Sequence, residues 1–348
     1  MTITVMQGDC RERLPELADG SVQCIVTSPP YFRQRSYLKP DDPLKPFEIG
    51  QEETPDAYVE TIVGVMHECR RVLRDDGTLW INLGDCFASS STYNAPRSMH
   101  SNAGWKQAGH SPNVRAGNGL KPKDLVGIPW MVAFALRADG WYLRADNVWG
   151  KPNGMPESCT DRTTRAHEYV FLLSKSERYY YDHEAVRSAP KASTQTQLAS
   201  PYIGQSTKSH DLAGVQNASD IKRRIVDKQR GHSRRHTGFN ERWDKMERDQ
   251  QIAEGGNLRS VWWISPAQYA EEHFAVMPDQ VAEICIRAGS RPGDVVCDPF
   301  AGVFTTCLVA DRLQRHAIGI ELGAGHCGMA TRRLGRDAGL FADIRTEA

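Results

Sequence analysis

Two stretches far apart in the chain carry residue types that could do chemistry. The first is Thr27-Ser28-Pro29-Pro30-Tyr31. Two consecutive prolines remove two backbone donors and fix two φ angles, so the chain continues neither as helix nor as central strand. What remains is a rigid, carbonyl-rich corner with a hydroxyl from Ser28 and a flat, polar-tipped ring from Tyr31. A Pro-Pro pair is also an ordinary way to leave a strand, and by itself the corner reads either way.

The second stretch is Asp298-Pro299-Phe300-Ala301-Gly302-Val303-Phe304-Thr305-Thr306, followed by Gly319-Ile320-Glu321-Leu322. It reads as a βαβ unit with a glycine in its first turn and a carboxylate closing its second strand. In nucleotide-like sites such a carboxylate bonds ribose hydroxyls, and the glycine lets backbone approach the ligand. Asp298 and Glu321 are separated by close to the roughly twenty residues those sites use. The turn is not G-x-G-x-x-G, however, and it opens with an acid. An acid repels a pyrophosphate and attracts an ammonium. A cofactor with adenosine and a cationic amino-acid tail fits, which points to S-adenosylmethionine over NAD. The bland alternative is a plain βα turn.

The flanking elements must place both stretches at strand ends. Val22 to Val26 is a short apolar, β-prone run, the pattern of a buried parallel strand. It delivers the Ser28 corner to a carboxyl end, where open α/β sheets hold ligands. Ile3–Met6 reads as a first strand, ending near Asp9 and Cys10. Asp9 is either an N-cap for the helix that follows or a ligand contact, and the two are compatible. Residues 32–51 form an irregular loop with Arg33, Arg35 and Tyr37, read as a lid or as solvated surface. A helix from Thr54 to about Leu73, a turn at Asp75-Asp76-Gly77 and a strand over 78–84 follow. Residues 85–123 look like a flexible insertion. Then come a helix from Ile128 to Arg137, strands over 141–149 and 168–174, and an edge segment at Tyr179–Tyr181. Order resumes at 258–264. His273 to Pro278 leads into a helix bearing Val281, Ile284 and Cys285, and Val295–Cys297 is a buried strand.

The 348 residues suit one large domain or a domain with an insertion. Net charge is zero, so only local clusters speak of an acidic partner. The nine cysteines form no C-x-x-C pair, which argues against structural zinc and a disulfide framework and for a reducing, intracellular compartment. No metal site is expected. Nor is a signal peptide or a bilayer-spanning run. From 188 to 257 large apolar residues thin out. Lys222, Arg223, Arg224, Lys228, Arg230, Arg234 and Arg235 cluster there, interleaved with His232, His236, Phe239 and Trp243. That mixture suits a nucleic-acid surface, and equally a charged solvated segment.

Together these residues resemble the amino-methylating DNA methyltransferases, of the β type in motif order. The catalytic motif of that family, [DNST]-P-P-[YFW], matches Ser28, Pro29, Pro30 and Tyr31. Its cofactor motif, D-P-F-x-G-[ST]-G-T-T, matches Asp298, Pro299, Phe300, Gly302, Thr305 and Thr306, with Ala301 at the variable position. Val303 and Phe304 stand where the family has a small residue and a second glycine. Phe304 either crowds the cofactor or points into the core. The resemblance puts Glu321 on the ribose, Asp9 with Cys10 beside adenine, Thr27 next to the cofactor, and His273, Phe274 and Pro278 around its methionine end. Trp149-Gly150-Lys151-Pro152 and His167-Glu168-Tyr169 are also familiar from the family.

The resemblance implies a Rossmann-like α/β methyltransferase fold, circularly permuted, its mostly parallel sheet flanked by helices. The implied division is residues 1–187 and 258–348 for the methyltransferase and 188–257 for target recognition. It implies methyl transfer from S-adenosylmethionine to an amino group of a base in double-stranded DNA, with the base flipped out. Tyr31 would stack on that base, Arg33 and Arg35 would hold flanking phosphates, and the basic cluster would contact DNA. Serine at the first motif position is associated in the family with cytosine N4, aspartate with adenine N6. The absence of a Pro-Cys pair argues against ring-carbon methylation. Adenine N6, RNA or protein as substrate, and a catalytically dead DNA-binding scaffold are the competing readings. A homodimer and a cognate restriction endonuclease are open as partners, in the cytoplasm of a bacterium or archaeon or encoded by a phage.

Overall fold

The strands carrying the two stretches are neighbours in one sheet. The computed structural model describes residues 1–89, 117, 119–154, 156–188, 256–267, 276–338 and 342–347. Its strands are β1 (Thr2–Gln7), β2 (Val22–Thr27), β3 (Leu73–Leu83), β4 (Tyr142–Gly150), β5 (His167–Ser174), β6 (Val261–Trp263), β7 (Val295–Asp298), β8 (His316–Glu321) and β9 (Asp343–Glu347). They are ordered β6-β4-β5-β3-β2-β7-β8-β1-β9. All run parallel to their neighbours except β5, which is antiparallel to both β3 and β4. This is a Rossmann-like α/β sheet, mostly parallel.

A short helix, α1 (Cys10–Arg13), follows β1. Every residue of β2 is buried, as expected of a strand paired on both edges and covered on both faces. Ile25 joins a core shared with α2 (Pro55–Val72) and α3 (Ile128–Ala138). Cys24 points the other way, its thiol 3.9 Å from the Cys285 carbonyl on α4 (Asp279–Gly289). Thr54 starts α2 by accepting from the Ala57 N–H, with proline at the first position. Its inward face of Tyr58, Ile62, Val65, Met66 and Cys69 is buried. From β2 the chain moves on to β3 at one side; from β7 it moves through α5 (Thr305–Arg312) to β8 at the other. The strand order therefore reverses between β2 and β7, which opens a crevice at their carboxyl ends.

The structure departs from sequence expectation in three places. The turn expected at Asp75-Asp76-Gly77 is absorbed into β3: pairing begins at Val22–Leu73 and slips before Cys24–Thr78, so the extra residues form a bulge. The Tyr179–Tyr181 segment forms no strand. Its Tyr180 amide bonds the Asp76 carbonyl, and its ring lies under the Arg291 guanidinium. Two C-terminal elements, α6 (Ala324–Asp337) and β9, were not expected. The sequence of β9 is polar and mostly exposed, and only its parallel pairing to β1 makes it a strand.

The chain divides into two units: Met1–Asp182 with Ser260–Ala348, and His183–Arg259. Among the described residues no helix is long and apolar enough to cross a membrane.

Candidate active site

The tips of β2 and β7 lie side by side because the strands pair directly, Cys24 with Val296 and Ile25 with Cys297. Beyond the ladder, the Thr27 hydroxyl donates to Asp298 Oδ1 at 2.7 Å. Thr306, from the first turn of α5, donates to Asp298 Oδ2 at 2.8 Å, and the Phe300 amide reaches Oδ1 at 3.1 Å. Asp298 is thus clamped between the two strand ends while still lining a cleft. Burial raises its carboxyl from the ordinary 3.8 to about 6, against the pull of those three donors.

The cleft is partly open to solvent. Ser28 and Pro30 line it from the first stretch, and Asp298, Pro299, Phe300, Ala301, Gly302, Thr305 and Thr306 from the second. Glu321 ends β8 at its side. Its Oε2 accepts from the Gly302 amide at 3.0 Å and its Oε1 from the Gly323 amide at 2.9 Å. His326, on α6, approaches Oε1 at 3.1 Å. Burial disfavours the charged imidazole, but the bond to Glu321 and its charge outweigh that and raise the His326 pKa. Asp9 and Cys10 line the cleft where β1 ends. Asp9 caps α1 through the Arg11 amide at 2.9 Å and pairs with the Arg11 guanidinium. Burial pushes the Cys10 thiol far up, so it is a small apolar wall.

Phe304 does not crowd this cleft. It sits at φ 62° as the N-cap of α5, and its ring is fully buried against Gly319 of β8. A Cβ on Gly319 would lie 2.3 Å from that ring. The aromatic ring fills the space above a glycine, and Val303 is the neighbour that faces the cleft.

The loop over 32–51 forms the opposite wall, with Tyr37, Leu38, Phe47, Glu48 and Ile49 lining the cleft. Glu48 pins it: its carboxylate takes the amides of Tyr37 and Leu38, the Ser36 hydroxyl and the Lys45 ammonium. Gly50, at φ 95°, lets the loop return close to Pro30 and to the Tyr31 carbonyl. Nothing local in the sequence singles out Glu48 or His326 as part of the site. Both are brought there by the chain's return over a strand end.

The corner itself is braced from behind. Pro29 is buried, and the Pro30 carbonyl accepts from the Tyr58 hydroxyl at 2.9 Å. Among the described residues no donor reaches the Pro29 carbonyl. The Tyr31 ring does not line the cleft; it abuts Gly84, where a Cβ would come within 2.4 Å of it. Its hydroxyl donates to Glu168 Oε2 at 2.6 Å. Arg33 Nε donates to the Glu52 carbonyl at 2.7 Å, and the Arg35 guanidinium acts on the Tyr37 phenol, lowering its pKa against the larger effect of burial. Pro278 caps α4, beside the cleft-lining Val276 and Met277. His273, Phe274 and the cluster Lys222, Arg223, Arg224, Lys228, Arg230, Arg234 and Arg235 lie outside the described residues, as does most of the insertion over 85–123.

A family model described as DNA methylase, that of the N6/N4 methyltransferases, matches residues 22–332. The chain belongs to this family. It is 37% identical over 332 residues to the type II methyltransferase M.Cfr9I of Citrobacter freundii, covering 95% of this chain and 87% of that one. Two solved structures share the fold. One is a DNA modification methylase from Thermus thermophilus, complexed with S-adenosyl-L-methionine, with TM-score 0.55 and 20% identity over 99% of this chain and 98% of the other. The second is the PvuII DNA methyltransferase, cytosine-N4-specific, with TM-score 0.57 and 18% identity over 96% and 86%.

The methyl donor of this family, S-adenosylmethionine, fits the residues of the cleft. Asp298 and Glu321 bring carboxylates to the cleft, suited to the cationic and ribose parts of that ligand, while the Asp9 and Glu48 carboxylates are matched by Arg11 and Lys45. Phe300, Val303, Phe47, Ile49 and Ile320 give apolar walls for a purine. Glu321, held rigid by two backbone amides, keeps lone pairs for a diol.

Proposed function

We propose that this DNA methylase transfers a methyl group to the exocyclic N4 amino group of cytosine in duplex DNA. The observation that carries the reading is the shared cleft: Ser28 and Pro30 from the β2 tip face the same space as Asp298 and Gly302 from the β7 tip. Bound S-adenosylmethionine supplies the methyl as an electrophilic carbon on sulfur. Asp298 and Glu321 hold the cationic and ribose parts of that donor. An exocyclic amine is a poor nucleophile because its lone pair is delocalised into the ring. Ser28 Oγ and the Pro29 carbonyl accept its two hydrogens, which drives the nitrogen toward a tetrahedral shape with the lone pair aimed into the cleft. The loop pinned by Glu48 excludes water. The acceleration is positioning and desolvation, with no covalent enzyme intermediate.

Cytosine N4 is favoured over adenine N6 by Ser28, through the family association of serine with cytosine. The chain acts in the cytoplasm as the modification half of a restriction-modification pair, as the type II relative's name suggests for that protein. The segment 188–257, with its basic and aromatic residues, reads the site, and Arg33 and Arg35, just beyond the corner, hold flanking phosphates with the guanidinium donors not spent on their own chain. Of the two substitutions that favoured a cofactor-blind scaffold, Phe304 is buried away from the cleft, while Val303 faces it.

The test is the DNA of cells expressing the protein. Sequencing that reports modified positions, with nucleoside analysis, should give N4-methylcytosine at one short site. N6-methyladenine as the only product overturns the choice of base. No methylated product in vivo or with purified protein overturns the activity.

A further inference from the structure

Behind Ser28 lies a run of polar groups that the transfer described above leaves unused. Lys151 Nζ, at the end of β4, donates to Glu168 Oε1. Glu168 Oε2 receives the Tyr31 hydroxyl at 2.6 Å and Asn82 Nδ2 at 3.0 Å. Asn82 Nδ2 also lies 2.9 Å from the Tyr31 oxygen and 3.5 Å from Ser28 Oγ. The Ser28 and Tyr31 oxygens thus lie against the same amide nitrogen, and the Ser28 hydroxyl acts on the Tyr31 phenol, lowering its pKa against the effect of burial. Asn82 is buried, and Glu168 and Lys151 are mostly covered.

The direction of each bond follows from what each group can do. A carboxylate only accepts and an ammonium only donates. Tyr31 therefore spends its single proton on Glu168. Burial, and then the Glu168 charge, raise the phenol well above its ordinary range, so that proton is always there to give. The lone pairs of the Tyr31 oxygen are then left for donors: the Asn82 amide and the Ser28 hydroxyl. A serine proton drawn toward Tyr31 leaves the lone pairs of Ser28 for an incoming amine. If the proton pointed into the cleft instead, Ser28 would present a donor to a donor.

We propose that Glu168, held by Lys151, is a positioning residue that sets the polarity of the Ser28 hydroxyl through Tyr31, turning serine into an acceptor for the target amine. The proposal rests on the methylase reading of the corner and deepens it. Glu168→Gln is nearly isosteric but replaces one acceptor oxygen with an NH₂ donor. That donor faces Tyr31, turns its proton toward Ser28, and sends the serine proton into the cleft.

The test is single-turnover methyl transfer to cognate duplex DNA by the full chain, with S-adenosylmethionine and DNA affinities measured alongside. Glu168→Gln should slow transfer about 10- to 100-fold, the scale of one charge-assisted hydrogen bond, with both affinities within about twofold of wild type. Tyr31→Phe removes the connecting hydroxyl and should slow transfer on its own. In that background Glu168→Gln should add less than about a further twofold, because the relay is already cut. Glu168→Gln transferring at the wild-type rate overturns the relay alone, and so does an equal loss in the Tyr31→Phe background. A wild-type chain that transfers no methyl to DNA overturns the reading of the corner, and the relay with it.

Discussion

Replacing Asp298 with asparagine should stabilise the cofactor-free protein while weakening its hold on the methyl donor. Asp298 is only 4% exposed, and burial raises its carboxyl from 3.8 to about 6. The folded chain thus binds this proton more tightly than the unfolded chain. Its contribution to stability is complete below pH 4 and is lost as pH rises through about 6. At ~1.36 kcal/mol per pH unit, the charged form costs the folded protein about 3 kcal/mol above pH 7. Asparagine carries no charge at any pH and can keep the bonds: Oδ1 accepts from Thr27 and Phe300, and Nδ2 donates to Thr306, whose hydroxyl can turn to the Val26 carbonyl 3.3 Å away. Denaturant unfolding of both proteins without cofactor, from pH 4 to pH 8, checks this. The variant should match wild type near pH 4 and exceed it by about 3 kcal/mol at pH 8. Calorimetry at pH 8 should show its S-adenosylmethionine affinity down at least tenfold, since a cation loses its buried partner. A variant less stable than wild type at pH 8, or a gap independent of pH, refutes the reasoning.

Phe304→Gly relieves a left-handed residue at φ 62°, worth about 1 kcal/mol, but deletes a fully buried ring worth about 3–5 kcal/mol. Thermal or urea unfolding should find it roughly 2–4 kcal/mol less stable, with cofactor affinity within about threefold of wild type. Gly84→Ala places a Cβ 2.4 Å from the Tyr31 ring. Methyl transfer should fall at least tenfold while S-adenosylmethionine still binds, because the corner shifts and the cofactor wall does not. His326 should titrate above the ordinary 6.5 by NMR, and in Glu321→Gln its pKa should fall, as burial is then opposed only by the more distant Glu48 charge. The His326 contribution to stability is full below pH 6.5 and is lost as pH rises through its folded value.

Much of the site was legible in the sequence because it is built from local signals. Apolar runs that stop at Pro29-Pro30 and at Pro299 mark strand ends whatever lies around them. The acid opening the second turn and the carboxylate at Glu321 suggest a cationic, ribose-bearing ligand from the sequence, and both line the cleft. Other features depend on residues that meet only when the chain has folded. Phe304 could turn either way until Gly319 on the adjacent strand offered a slot for its ring. Glu48, in an irregular loop, and His326, on an unforeseen helix, reach the cleft because backbone returns across a strand tip. The bulge in β3 and the pairing of β9 answer to neighbouring strands and not to their own propensities. The Lys151–Glu168–Tyr31–Asn82–Ser28 run draws on β3, β5 and the ends of β2 and β4, so no window of sequence contains it. Local pattern determines which segments become strands and where they stop. The sheet order decides which strand ends share a cavity, because hydrogen-bonded pairing and burial are properties of partners distant in the chain.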